Sequence, residues 1–284
     1  MIELTFSYAA VPGAEVVCAP GIATPHAAPV AVDVSGARLK LVSEPTLAQH
    51  LLIATAEAER VTIRLRYQAS GPAYPEVIFA PRDSRFTRAA AALAGETRAI
   101  AAAAGGGRSG MQAIVNHVAG IFDYGHPEER FYDGADELPQ LCSMAQGSCV
   151  DINAYLIAAL RTAGYEAGYV YGVFVPEAKR TWAEDGHCWV VTRFEGRCEE
   201  WDIAHFLKMG GREIAPGLNP RPGVRLPLAH SKGWTVPELG LHDVKLMGPP
   251  LAIGDDGRLG EVAGLEIGLR GYDLLRAADQ ISSD

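Results

Sequence analysis

Several absences narrow the reading of this 284-residue chain. Its amino terminus, Met1-Ile2-Glu3-Leu4-Thr5, has neither a positive leading segment nor a continuous apolar stretch, so no secretory signal is expected. No apolar run approaches the roughly 18 residues that a membrane-crossing helix needs. Basic excess is missing too: the formal net charge is -9, which argues against the cationic patch of a nucleic-acid binder. There is no block of five like charges, and hence no charged interaction tail. The five cysteines, Cys18, Cys142, Cys149, Cys188 and Cys198, are an odd set without a Cys-x-x-Cys pair. That spacing speaks against a disulfide framework or a structural zinc site and for reduced thiols in a cytoplasmic setting. What is present is 48% hydrophobic and 21% charged residues, enough apolar material for one large domain or two smaller ones.

The first eighty residues read as β-rich. Val61, Ile63, Leu65 and Tyr67 alternate with Thr62, Arg64 and Arg66, the period-two pattern of a half-buried strand. Shorter runs at Val30–Val34 and Arg38–Val42 agree, and Pro72, Pro75 and Pro81 punctuate a change of character. Beyond them an Ala-dense stretch from Phe86 to Ala104 predicts a helix ended by Gly105-Gly106-Gly107. Ser109 is placed to cap a second helix, with Met111, Ile114, Val115, Val118 and Ile121 at helical spacing. A third runs from Val150 to Ala163 and stops at Gly164. Strands follow at Tyr165–Phe174, Cys188–Phe194 and Cys198–Asp202, the last two joined by a turn at Glu195-Gly196. Helix followed by strands is an α+β layout. From about residue 210 the chain is rich in Gly and Pro and assigns no clear element.

Cys149 opens the third helix after two small residues, Gly147 and Ser148, which are read as leaving room for a substrate backbone. Unpaired N–H groups and the positive end of the helix dipole stabilise a thiolate at such a position. The same N–H groups can bind the oxyanion of a tetrahedral intermediate. His187 begins one strand and Asp202 ends the next, and in an antiparallel pair those two ends are neighbours. Cys149 is therefore the expected nucleophile, His187 its base and Asp202 the group that orients the base.

These residues resemble the bacterial transglutaminase-like superfamily. The run from Gly147-Ser148-Cys149 through the apolar helix to Leu160-Arg161-Thr162-Ala163-Gly164 is similar to its core motif. His187-Cys188-Trp189-Val190-Val191 resembles its His-small-Trp-Val element, and Glu200-Trp201-Asp202 its Trp-Asp element. Pro81-Arg82-Asp83-Ser84-Arg85-Phe86 looks like the entry to the helices in members with an N-terminal β domain. Two departures stand out: Tyr165-Glu166-Ala167-Gly168 lacks the family's Ile-Pro-Ala-Arg, and Cys188 replaces the commoner Ala beside the histidine. The resemblance implies a papain-like, transglutaminase-type core, in which the cysteine helix packs on an antiparallel sheet. A β-sandwich-like domain at 1–80 would precede a catalytic domain at 81–284, with a Gly/Pro-rich extension from about 210.

The expected activity is cysteine-dependent acyl transfer, a peptidase or amidase working through a thioester. The alternatives are a protein-glutamine acyltransferase and a non-catalytic scaffold that keeps the fold. No cofactor or metal is expected, and the expected partner is a peptide or protein amide rather than nucleic acid or membrane. Gln146 is a candidate second oxyanion donor. Cys142, Cys188 and Cys198 are read as ordinary thiols, His117 and His205 as structural or surface residues, and Asp185 as aimed away from His187. His126 could line the cleft, Trp189 and Trp201 would wall it, and Phe131-Tyr132-Asp133 reads by default as a surface loop.

Overall fold

The computed structural model describes residues 1–80, 82–217, 220–254 and 256–281, with 277–281 described by backbone alone. Pro81, at the expected domain boundary, lies outside this set. The protein is α+β. Its helices are α1 (Ala91–Ala103), α2 (Gly107–Ile121), α3 (Cys149–Thr162), α4 (Ile203–Lys208) and α5 (Tyr272–Ile281).

Alternation sets the β layers. In Ile2–Ala9 the side chains of Ile2, Leu4, Phe6 and Tyr8 point inward, and in Arg60–Ala69 those of Val61, Ile63, Leu65 and Tyr67 do so. These strands pair antiparallel, Leu4 opposite Leu65 and Phe6 opposite Ile63. A second sheet contains Glu15–Cys18, Gln49–Ala56 and Ala37–Glu44, and shares the same apolar core through Val17, Leu51 and Ile53. The first eighty residues do not complete this sandwich. Glu266–Arg270 pairs with Ile2–Ala9, and Leu251–Ile253 pairs with Glu15–Cys18. Trp182–Ala183 adds an edge strand by pairing with Glu266–Arg270. C-terminal residues thus add strands to both sheets of the sandwich, which cross the expected division between 1–80 and 81–284.

The other layer is the four-stranded sheet ordered Arg197–Trp201, Gly186–Phe194, Glu166–Pro176, Gly223–His230. One end of this sheet packs on the sandwich through Val173, Val175, Val224 and Leu226. Toward its other end, on the same face by alternation, Tyr169, Cys188 and Val190 meet Ile152, Leu156 and Leu160 of α3 and Met111, Ile114 and Val118 of α2. On the opposite face Val170, Trp189 and Val191 pack on Tyr74, Ile78 and Phe79. Removing apolar area from water on both sides of a central sheet is the main force ordering these layers. α2 begins two residues before Ser109, at Gly107 after a Gly106 cap, so Ser109 lies inside it. Gly164 ends α3 with φ +90, a left-handed conformation that favours glycine, and the Tyr165 N–H closes the turn on the Leu160 carbonyl at 3.0 Å. Among the described residues no helix is long and apolar enough to cross a membrane.

Candidate active site

The start of α3 is built from contiguous residues. Ser148 is extended (φ -80, ψ 175) and caps the helix. The Asp151 carboxylate accepts the Ser148 N–H at 2.9 Å and its hydroxyl at 2.6 Å, locking the turn from which Cys149 projects. Asp151 is buried and kept ionised: burial pushes its carboxyl up, but the Lys245 charge and the Ser148 and Tyr132 hydrogen bonds bring it below its ordinary value. Tyr132 is itself buried, and Phe131 packs on Tyr155 at 5.7 Å, so this segment is part of the core rather than a surface loop. Gly147 does not leave space for a substrate backbone. It is buried, and a Cβ there would come within 3.2 Å of the Phe122 ring and 3.3 Å of the Asp151 Cβ. Here glycine lets the strand enter the helix closely packed.

Cys149 is 7% exposed at the first position of α3. Its thiol is held well below its ordinary pKa: the hydrogen bond with Cys188 contributes most, burial opposes, and the hydrogen bond and charge of His187 add to the lowering. His187 Nε2 lies 2.9 Å from Asp202 Oδ2, which leaves Nδ1 for the thiol. Burial works against the imidazolium, yet the Asp202 charge and hydrogen bond, with the Cys149 contact, raise its pKa to about 9. The geometry thus favours a thiolate–imidazolium pair at neutral pH.

Strand pairing alone does not bring Asp202 to His187. The strand Arg197–Trp201 ends with Trp201 opposite Val190, three residues short of His187. Asp202 instead leaves the ladder as the N-cap of α4, and its Oδ1 accepts the His205 N–H at 3.1 Å. Its Oδ2 takes His187 Nε2, His205 Nδ1 at 2.8 Å and the Arg225 guanidinium. Both oxygens are committed and neither is exposed. Burial pushes this carboxyl up, but the charges of His187 and Arg225 outweigh it and hold Asp202 well below the usual carboxylate range.

Two further residues, His205 and Arg225, complete the cluster without belonging to the expected triad. The His205 ring stacks on that of His187, with centroids 4.0 Å apart and planes 8° from parallel, and is 1% exposed rather than solvated. Burial brings its pKa down to about 4, so it stays neutral beside the charged His187. Phe174 closes edge-on against His205 at 4.5 Å. The Asp202-x-x-His205 spacing is that of an N-cap and its helix, a signal available in the sequence. Arg225 comes from Gly223–His230, where one arginine interrupts a buried strand that is apolar up to His230. Such a residue calls for a buried anionic partner. His187, Asp202 and His205 are also close enough to share a cation, but the Arg225 guanidinium already sits on the carboxylate.

The remaining candidates disperse. Gln146 is exposed in the strand Ala145–Gly147 with its amide against Gly125, and among the described residues no hydrogen bond joins it to Cys149. Cys142 and Cys198 are exposed. His117 sits 3.5 Å from Glu96 on the helical surface. Trp189 and Trp201 are buried packing residues. A cleft of about 230 Å³ reaches His187 and His205 between Tyr124, Phe174, Asp185 and Lys208, and His126 lines its rim. Asp185 faces this cleft, its carboxyl raised by burial and by the Cys149 charge.

Residues 93–201 match the core of the transglutaminase-like superfamily, a span that carries Cys149 and His187 and stops one residue before Asp202. No curated protein matches the chain. Among solved structures, a candidate cysteine protease from Cytophaga hutchinsonii is 10% identical, covering 95% of this chain and 96% of its own, with a TM-score of 0.47. A candidate protease from Parabacteroides distasonis is 11% identical over 65% of this chain and 42% of its own (TM-score 0.30). The periplasmic domain of TgpA from Pseudomonas aeruginosa, bound to ethylmercury, is 18% identical over 73% of this chain and 77% of its own (TM-score 0.35).

Proposed function

We propose that this chain, whose residues 93–201 carry a transglutaminase-like core, is a cysteine-dependent acyl-transfer enzyme that hydrolyses an amide bond in a peptide or protein. The observation that carries the reading is the contact series from the Cys149 thiol at a helix start, through His187, to Asp202 2.9 Å beyond. In this reading the Cys149 thiolate adds to the amide carbonyl, and His187 gives its proton to the leaving amine as the thioester forms. Water, deprotonated by His187, then attacks the thioester and frees the acid. The first turn of α3 leaves the Cys149 N–H without an intrahelical acceptor, facing the oxyanion. Gln146, the second donor suggested by the sequence, has to turn away from Gly125 to reach it. Asp202, saturated by four cationic or N–H groups from His187, His205 and Arg225, holds the imidazole in one orientation. The reduced, cytoplasmic setting expected for five free thiols belongs to the same proposal.

p-Nitrophenyl acetate tests the chemistry without knowledge of the substrate. A burst of nitrophenolate with one acetyl group on Cys149 is expected, absent in Cys149→Ala and followed by slow turnover. Equal turnover by the wild type and Cys149→Ala would sink the proposal. Added primary amine separates the outcomes of the second step: free acid marks a hydrolase, amide product a transferase.

A further inference from the structure

Three buried polar groups play no part in the acyl-transfer mechanism, namely the Cys188 thiol, the Tyr169 hydroxyl and the Lys232 amine. They form one series behind the nucleophile, with Cys188 in contact with it. Cys188 Sγ lies 3.9 Å from Cys149 Sγ, and the Tyr169 hydroxyl donates to Cys188 Sγ at 2.8 Å. Lys232 Nζ sits 4.6 Å from the Tyr169 ring centroid, 1% exposed and without a hydrogen-bond partner among the described residues. The backbones are tied as well. Asn153, one turn along α3 from Cys149, donates to the Cys188 carbonyl at 3.0 Å.

We infer that Cys149 and Cys188 form a two-thiol oxidation site, in which a hydroperoxide oxidises Cys149 and Cys188 then closes a disulfide with it. The inference rests on the reading of Cys149 as an activated nucleophile. In the first step the Cys149 thiolate attacks a peroxide oxygen. The O–O bond breaks, an S–O bond forms, and the departing hydroxide or alkoxide takes the His187 proton. Sulfur gives up two electrons and the peroxide gains them. In the second step Cys188 sulfur attacks the sulfenic sulfur of Cys149. The S–O bond breaks, the S–S bond forms, and the Cys188 proton leaves with the hydroxide as water. A dithiol reductant reverses the change by thiol–disulfide exchange, regaining both thiols and leaving as its own disulfide.

The surroundings divide the roles. Cys149 is the more accessible sulfur, 7% exposed, whereas Cys188 is fully buried and meets no reagent before Cys149 does. The two sulfurs have to close to about 2 Å, a movement of about 2 Å that side-chain rotation can supply between neighbouring backbones. Burial, then the hydrogen bond and charge of the Cys149 thiolate, hold the Cys188 proton on. Oxidation neutralises Cys149 and removes the last two causes. The Tyr169 hydrogen bond, which favours a Cys188 thiolate, remains in place, as does the Lys232 amine, which burial brings down to about 7. The group that attacks is thus made ready by the step before it. Cys142, which is exposed, is a less suitable resolving partner than this buried neighbour.

Stepwise addition of hydrogen peroxide to the reduced, full-length protein tests the inference, read by intact mass, peptide mapping and iodoacetamide labelling of Cys149. The expected product has lost two hydrogens, joins the Cys149 and Cys188 peptides, no longer labels at Cys149, and recovers fully with dithiothreitol. In Cys188→Ala and Cys188→Ser, peroxide should instead add two or three oxygens to Cys149, and dithiothreitol should restore little labelling. Either of these products overturns the inference: wild-type protein over-oxidised as in the variants, or a disulfide from Cys149 to Cys142 or Cys198. The wild-type peptide map decides even where a variant fails to fold. Rapid labelling of reduced Cys149 without a 149–188 disulfide sinks this inference alone. Labelling no faster than an ordinary thiol removes the nucleophile reading and this inference with it.

Discussion

The two ends of the candidate site are assembled in opposite ways. At the α3 start, Ser148, Cys149 and Asp151 belong to one turn, and hydrogen bonds of 2.6 to 2.9 Å within four residues fix the position of the thiol. At the other end, His187, Asp202, His205 and Arg225 come from two strands, a helix cap and a short helix, and converge on one carboxylate. The first end is held by local backbone chemistry, where a lost cap is worth about 1 kcal/mol. The second is a buried charge cluster, where removing one partner leaves an uncompensated ion at about 3–5 kcal/mol. A nucleophile can be placed by a local motif, whereas the group that orients its base depends on the assembled fold.

Substitutions at the two ends should separate chemistry from stability. The largest effect is expected for His187→Ala, which removes the proposed base and its positive charge together. Its acetylation burst with p-nitrophenyl acetate should fall by roughly 10³-fold or more while the fold is kept. Arg225→Met comes next. It leaves Asp202 buried with less positive charge around it, and urea unfolding should show a loss of about 3 kcal/mol or more. A loss within the range of a helix cap would erase the contrast between the two ends. Ser148→Ala should cost about 1 kcal/mol in the same experiment and change the burst rate only a few-fold. If Ser148→Ala equals Arg225→Met in stability, the α3 start is not merely local.

The smallest effects follow pH. His187, with its pKa raised from 6.5 to about 9, stabilises the fold fully below pH 6.5, and that contribution is lost as pH rises through about 9. Turnover that needs its proton should decline over the same range. His205 has the opposite sign. The unfolded chain gains a proton below about 6.5 that folded His205 refuses until about 4, so stability should fall as pH drops across that window. His205→Asn should flatten the acid limb of a stability–pH curve and leave the alkaline limb in place.

The same contrast accounts for how much of the site is legible in the sequence. Cys149 can be read there because a helix start is a pattern within a few residues, and the strands at 61–67 and 188–194 because alternation or an apolar run is local too. The motif points to Asp202, yet strand pairing stops three residues short of His187; the cap of α4 closes that gap. His205 and Arg225 gain their meaning from a carboxylate they meet only after folding. The strands at 251–253 and 266–270 are short and set among glycines, and their N-terminal partners in the sandwich lie 234 residues or more earlier, too far for periodicity to reveal. Cys188 stands out in the sequence as a departure from the family pattern, but its closeness to Cys149 depends on how α3 packs on the sheet.

The central claim is that Cys149 is a thiolate sustained by His187, and the pH dependence of its alkylation by iodoacetamide measures this directly. The wild type should label rapidly and almost independently of pH down to mildly acidic values. In His187→Ala the rate near pH 5.5 should drop roughly 10²-fold and return toward the titration of an ordinary thiol near about 8.5. A wild-type profile that itself titrates near about 8.5 and coincides with that of His187→Ala would contradict the account.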